Sequence, residues 1–278
     1  MERFGIVKAV RDYLSTKPHA VPPDYQPYLR QRESSGLFDA SAIGKCPRKD
    51  AYGRAEKLGL LAFKPAEPEL KVIWAMLAGV WIEECVVIPA LRASERYTVL
   101  APHANGVRLS FQHETSQRKG IIDALLIDQQ TGGNILLEIK TSHSQSWTYK
   151  HRDAEKNILP IYRHYLRQLA WYSAQMPALT PVLVEFARDH IGFGDEYIVD
   201  YAAQQVYTIV NDSDVRSYDL PENCDPQWVM AEGERRLKLW RAAELPPAEP
   251  YESWECGFCG YAEGCKANLY LTAGEKQQ

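Results

Sequence analysis

The order of apolar and polar positions changes period several times along the chain. From about Glu69 to Arg92 apolar residues return at helical spacing, with Pro68 just before the run and Pro89 near its end. The period then shortens. Gly106 to His113, Gly120 to Ile127 and Asn134 to Thr141 are short runs rich in Val, Ile and Leu, separated by the turn-forming sets HANG, SQRKG and DQQTGG. They predict antiparallel strands. Helical spacing comes back from Ile158 to Gln175, strands are predicted over Pro181 to Arg188 and Glu196 to Tyr201, and Asp225 to Ala243 reads as a helix ahead of the Pro-rich hinge LPPAEP. Lys17 to Tyr28 (KPHAVPPDYQPY) predicts an extended connection between short helices. Trp254 to Lys266 is too dense in Gly and Cys for a regular element. The order of strands and helices predicts a mixed-sheet α/β core, with no internal repeat.

Composition narrows the class. At 278 residues, 45% hydrophobic and 24% charged, the chain reads as one large globular domain or two small ones, which excludes disordered, collagen-like and low-complexity classes. Six Cys in this length make no disulfide scaffold, so the thiols read as ligands. The opening MERFGIVKAVRDYLS is charged throughout, and no uncharged apolar run reaches the ~18 residues of a membrane helix, so a cytoplasmic protein without a membrane partner is expected. The net charge is −4, so any nucleic-acid surface has to be local. Lys140 to Arg167 holds six Lys/Arg and three His against two acids, a candidate phosphate-facing surface or simply a solvated helix face. Asp195 to Glu255 holds 14 acids against five Lys/Arg and is expected to face away from a polyanion.

The most informative stretch is GIIDALLIDQQTGGNILLEIKTS, Gly120 to Ser142. On a strand Glu138 and Lys140 share one face and Ile139 takes the other. With Asp128 to Gly133 as the loop of a hairpin, Asp123 falls directly opposite Glu138, on the same face. Two acids and a base thus converge on a sheet otherwise made of Ile, Leu and Ala. A divalent cation relieves the repulsion between the carboxylates, and hard Mg²⁺ suits their oxygens. Lys140 can then orient the attacking water or offset charge on a phosphate. The other reading is a solvent-facing cross-strand set of charges.

The set Gly120-Ile121-Ile122-Asp123 followed by Glu138-Ile139-Lys140 resembles the PD-(D/E)xK nuclease superfamily, in its RecB-like branch. The resemblance implies a restriction-endonuclease-like mixed central sheet flanked by helices. It also implies a metal site formed by Asp123, Glu138 and the Ile139 carbonyl, with Lys140 catalytic. Gln168 and Tyr172, four apart on one helix face, match the branch's Gln-x-x-x-Tyr, which helps position DNA and supports the catalytic Lys. Leu77 to Glu84 resembles the Gly-x-x-x-His motif, except that Glu83 stands where the family has its metal-binding His. A carboxylate there still suits Mg²⁺ or Mn²⁺, with Glu84 as the alternative ligand. On the residues alone both glutamates equally mark the wet side of a helix.

Cys256-x-x-Cys259 and Cys265 place three thiols within ten residues, among glycines, and Cys46 lies far upstream at the start of a predicted helix. Four thiolates suit a 4Fe–4S cluster or Zn²⁺. This one-plus-three pattern resembles the iron–sulfur staple of the four-cysteine RecB-like nucleases, including the CRISPR-associated spacer-processing family and AddB-type helicase–nucleases. The resemblance favours a 4Fe–4S cluster joining the N- and C-terminal segments. Cys85 and Cys224 are expected to be unliganded. The expected organisation is a helical region over 1–95 with Cys46 and Glu83, a nuclease core over 96–200, and a C-terminal helical region over 201–278. The implied activity is metal-dependent DNA exonuclease, with DNA ends as substrate. The alternative is a DNA-end-binding or spacer-processing subunit of a CRISPR adaptation complex, active only with its partners; recombination proteins are the other partner class implied.

Overall fold

A computed structural model of the chain describes residues 4–16, 37–100, 110–113, 117–155, 158–210, 214–250 and 255–271. The proline-rich segment Lys17 to Tyr28 lies outside the described residues, as do the first part of the expected Gly106–His113 strand and Trp254. The first elements are helix α1 (Ile6–Thr16), the two-residue strand β1 (Phe38–Asp39) and helix α2 (Pro47–Lys57). A long helix follows in three pieces: α3 (Leu70–Ile82), a π-helical turn (Glu83–Val87) and α4 (Ile88–Ala93). Then come β2 (Tyr97–Leu100), β3 (Ser110–His113), β4 (Arg118–Ile121), β5 (Ala124–Asp128), β6 (Asn134–Ser142), α5 (Ser144–Glu155) and α6 (Arg163–Gln175). The chain continues through β7 (Thr180–Ala187), β8 (His190–Asp200), β9 (Gln205–Val210), β10 (Asp214–Asp219), α7 (Pro226–Arg241) and the short α8 (Ala262–Lys266).

The fold is mixed α/β. Seven strands form the central sheet in the order β10-β9-β8-β7-β6-β5-β2, and β1-β4-β3 form a smaller one. Only the β6–β7 pair in the large sheet is parallel. A parallel pair needs a crossover connection, and α5 and α6 supply it. β6 and β7 are covered on both faces, which explains why NILLEIK and TPVLVEFA read as near-continuous apolar runs. One face of the sheet (Leu126, Ile135, Leu137, Val182, Val184) packs against α1 and the Ile82–Leu91 turns. The other (Leu136, Leu183, Tyr197, Val206) packs against Leu166, Leu169 and Trp171 of α6 and Val229 of α7. A third cluster joins α2, the end of α7 and the C-terminal Tyr270.

Local signals fix the helix ends. Pro226 opens α7, and the Asp225 carboxylate accepts from the Trp228 amide at 2.8 Å. α2 opens with Pro47, directly after Cys46. Leu70–Ala93 is long and apolar enough, by length and composition, to cross a membrane. It carries Glu83 and Glu84 near its middle, and Ile82, Val86, Val87, Ile88 and Leu91 are packed in the core. Its first turns expose Leu70, Trp74 and Met76.

Candidate active site

The β5–β6 hairpin carries the site. Ala124 pairs with Leu137, Leu125 with Leu136 and Leu126 with Ile135. Continuing that register by one residue sets Asp123 opposite Glu138, as the sequence pattern predicts. Gly132 supplies the left-handed backbone (φ +72°) that the connecting turn needs. The bidentate Arg96–Asp128 pair (3.0 and 2.7 Å) anchors the base of the loop. The expected Gly120–Ile127 strand divides in two: β4 ends at Ile121 in the small sheet and β5 starts at Ala124 in the large one. Ile122 packs on the α6 side whereas Ala124 and Leu126 pack on the α1 side, so the chain bends at Ile122–Asp123. Asp123 therefore sits at a corner between the two sheets.

Asp123, Glu138 and Glu83 are all buried. Asp123 accepts from the Ile139 amide at 2.7 Å. Ile139 thus contributes its N–H to the site, on the same backbone whose carbonyl was the expected ligand. Glu138 forms an ion pair with Lys140 and accepts from Gln168 Nε2 at 2.6 Å. Burial pushes the Asp123 carboxyl well above the usual range, and repulsion from Glu138 and Glu83 pushes it further, against Lys140 and the Ile139 amide. Lys140 keeps its charge: burial opposes it, but Glu138 and Asp123 outweigh that and raise its pKa. Three buried carboxylates and one ammonium thus act on one another across this corner, which is short of positive charge. Among the described residues no three His, Cys, Asp or Glu side chains form a ready metal-ligating group. Glu138 is turned to Lys140 and Gln168, and Asp123 to a backbone amide.

Glu83 opens the π-helical turn, a feature the apolar periodicity did not signal; such turns recur at functional sites. Glu84, the alternative ligand, follows it and is half-buried. Upstream, Gly79 lets α3 approach β6, since a Cβ there would stand 3.2 Å from Thr141 Oγ1. Gln168 and Tyr172 are both buried. Tyr172 donates to the Ile121 carbonyl at 2.7 Å and accepts from Gln168 Nε2 at 3.2 Å, so the pair ties Glu138 to the end of β4. A Cβ on Gly120 would overlap the Tyr172 and Trp171 rings, which makes the glycine a condition for seating that tyrosine.

Beside the carboxylates lies a set of cations. Burial, followed by Lys45, Lys140, Lys150 and Arg167, lowers the His164 pKa to about 3. The imidazole is therefore neutral, among four positive side chains and stacked on Tyr162. Sequence reasoning missed two partners on the same sheet face, Lys150 and Glu185, which form a buried ion pair. The one signal for Glu185 was a lone charge inside PVLVEFA.

The four expected cluster cysteines lie where the N- and C-terminal segments meet. Cys46 is buried, Cys259 and Cys265 half-buried and Cys256 exposed. Hydrogen bonds from Cys46 and Arg48 tie the segments. The Cys46 amide donates to Glu255 Oε2 at 3.0 Å, next to Cys256, and Arg48 Nη1 reaches Cys265 Sγ at 3.6 Å and its carbonyl at 3.3 Å. Burial raises the Cys259 thiol pKa, and Cys46 and Cys265 add to that effect. Arg236 of α7 holds the loop before Cys46 through the Ala42, Ile43 and Lys45 carbonyls (2.8–3.0 Å). The thiols thus gather without forming a ligating group of three. Cys224 is buried beneath α6 with its thiol pushed up to about 11 by burial, and Cys85 lies in the π-helical turn.

Neither the protein-family models nor the curated proteins give a match to this chain. Among solved structures it is similar to one described as "Crystal structure of SSO0001", at 18% identity, with 96% of each chain covered and a TM-score of 0.48.

Proposed function

We propose that the chain is a Mg²⁺- or Mn²⁺-dependent deoxyribonuclease, an exonuclease of the RecB-like branch with a restriction-endonuclease-like core, acting in the cytoplasm. The observation that carries this reading is the burial of Asp123, Glu138 and Glu83 beside Lys140, with the Asp123 carboxyl raised first by burial and then by Glu138 and Glu83. Asp123, Glu138 and Glu83 would hold the cation, with the Ile139 carbonyl as a further oxygen. When bound, the cation supplies a Lewis acid for a phosphodiester and lowers the pKa of an attacking water. Lys140 orients that water and offsets charge growing on the phosphate. Gln168 and Tyr172 keep Glu138 in place from behind. Lys45 adds positive charge beside the start of α6 that would suit a DNA backbone, whereas Lys150 and Arg167 are buried and bound within the protein. Cys46, Cys256, Cys259 and Cys265 would hold a 4Fe–4S cluster. A thiolate-capped cluster leaves no hard-oxygen position, so its role is to pin the two terminal segments together.

The test uses purified chain, Mn²⁺, and end-labelled single- and double-stranded DNA. Wild type should shorten the label from an end, and Lys140→Ala should abolish cleavage while keeping the circular dichroism spectrum and DNA binding. Metal-dependent cleavage retained by the pure variant would remove Lys140 from the chemistry. No particular observation favours the reading as a turnover-free adaptor of a CRISPR complex, since Asp123, Glu138 and Lys140 are all present.

A further inference from the structure

Lys140 lies among buried carboxylates, and one of them, Glu185, stands outside the proposed metal site. On its own strand Glu138 holds it in an ion pair. On the parallel neighbour β7 the register pairs Lys140 with Glu185, and alternation puts the two side chains on the same face, with strands ~4.8 Å apart. Glu185 is fully buried. One of its oxygens takes Lys150 from α5, while Oε2 is buried without a hydrogen-bond partner. A carboxylate oxygen left so costs free energy unless some state of the protein satisfies it. The Tyr165 ring stands between the two ammonium groups, 5.4 Å from Lys140 Nζ and 6.0 Å from Lys150 Nζ, so the two cations and Glu185 share one pocket. Lys150 also sits 4.1 Å over the Tyr162 ring, which gives it a second source of stabilisation.

Resting on the metal-site reading above, we propose that Glu185 is a positioning residue that takes over Lys140 when Glu138 turns to a divalent cation. Ligation by Glu138 removes the counter-charge of a largely buried ammonium. An ammonium released into such a pocket needs a new partner. The spare Oε2 of Glu185 offers one on the adjacent strand. The exchange leaves Lys140 beside the site, neither bonded across it nor lost to solvent. Glu185 then contributes to cation affinity without touching the cation, because it stabilises the released Lys140. Lys150 competes for the same carboxylate and sets how readily the exchange occurs.

Mn²⁺ binding, followed by titration calorimetry and by the electron paramagnetic resonance signal of free Mn²⁺, tests this without reference to turnover. Wild type should bind Mn²⁺ and Asp123→Asn should not; if the two behave alike, the metal-site reading fails. Given that difference, Glu185→Gln should weaken Mn²⁺ about tenfold, a change of ~1.4 kcal/mol. In a Lys140→Met background the same substitution should change affinity less than twofold. Equal weakening in both backgrounds would make Glu185 a ligand or a purely structural group, and no weakening in either would make it a bystander; each overturns the proposal. Lys150→Met supplies an independent check with the opposite sign, should Glu185→Gln fold poorly. Freed from its competitor, Glu185 draws Lys140 away from Glu138 before any cation arrives, so Mn²⁺ should bind more tightly. Unchanged or weaker binding by that variant also overturns the proposal.

Discussion

Glu196 makes the stability of this fold depend on pH in an unusual direction. It lies on β8, 1% exposed, and its Oε2 accepts from the Ile6 amide at 2.9 Å, so a strand residue caps the start of α1 across 190 positions of sequence. Burial raises its pKa from the ordinary 4.5 to about 7, despite the Ile6, Phe4 and Gly5 amides and Arg96. Between those values the native chain holds a proton that the unfolded chain has lost. Stability therefore falls as pH rises from 4.5 to 7 and is flat beyond. The difference of 2.5 units, at ~1.36 kcal/mol each, amounts to ~3 kcal/mol. Glu196→Gln keeps an oxygen acceptor for the amides and never ionises. Urea unfolding followed by circular dichroism at pH 5, 6, 7 and 8 gives both stabilities from the midpoints. The variant should gain on wild type by about 2.5 kcal/mol between pH 5 and pH 8, whatever its offset at pH 5. Subtracting the two curves removes every other titrating group. A difference that stays level, or that falls with pH, would refute the account of Glu196 as a buried acid costly to ionise.

Two further predictions concern the joint between the terminal segments. Cys46→Ala should lower the melting temperature and remove the iron, read by visible absorbance and elemental analysis of anaerobically purified protein; wild type should be brown, with about four irons per chain. A colourless wild type with one zinc per chain would replace the cluster while leaving the carboxylate site untouched, and unchanged metal in the variant would exclude Cys46 as a ligand. Arg236→Met should cost ~3–5 kcal/mol in denaturant unfolding, because it takes away one of the two arginines on buried Asp50 and three bonds to the Ala42–Lys45 loop. A loss under ~1 kcal/mol would show that Arg118 alone suffices for Asp50.

The register of the β5–β6 hairpin was legible because it is a local property. A short loop with glycines, between two runs that alternate about one buried face, admits a single pairing without exposing the apolar set. α6 and α7 were legible for the same reason, each carrying an apolar stripe at helical spacing. The break at Ile122–Asp123 was not, since both halves of GIIDALLI have the composition of one strand and only the small sheet tells them apart. α5 escaped because SQSWTYKHRDAE is mostly polar. β10 escaped because an edge strand buries little on its outer side, and it reads as DVRSYD; β9 lies between β10 and β8. They carry the central sheet on to Asp219, beyond Asp200. Glu255 and Arg48 could not have been singled out at all. Their partners lie 209 and 217 positions away, and nothing adjacent in sequence marks them.

The motifs that sequence spacing presents as separate pieces are one hydrogen-bonded unit in the fold. Gly120 clears room for the Tyr172 ring, and Tyr172 donates to the carbonyl of Ile121, one residue on. Through Gln168 the same helix reaches Glu138, and through Ile139 the strand of Glu138 returns to Asp123. The path closes on the bend that separates β4 from β5. The links onto Glu138 and Asp123 restrain two buried carboxylates, and such restraint is what a crowded charged site needs. If Asp123 and Glu138 were free to separate, repulsion would drive them apart. Held by amide, amide side chain and strand register, they stay opposed, and under the proposed function a cation would relieve that repulsion. The glycine and the glutamine thus belong to the same physical device as the two acids, although neither carries a charge.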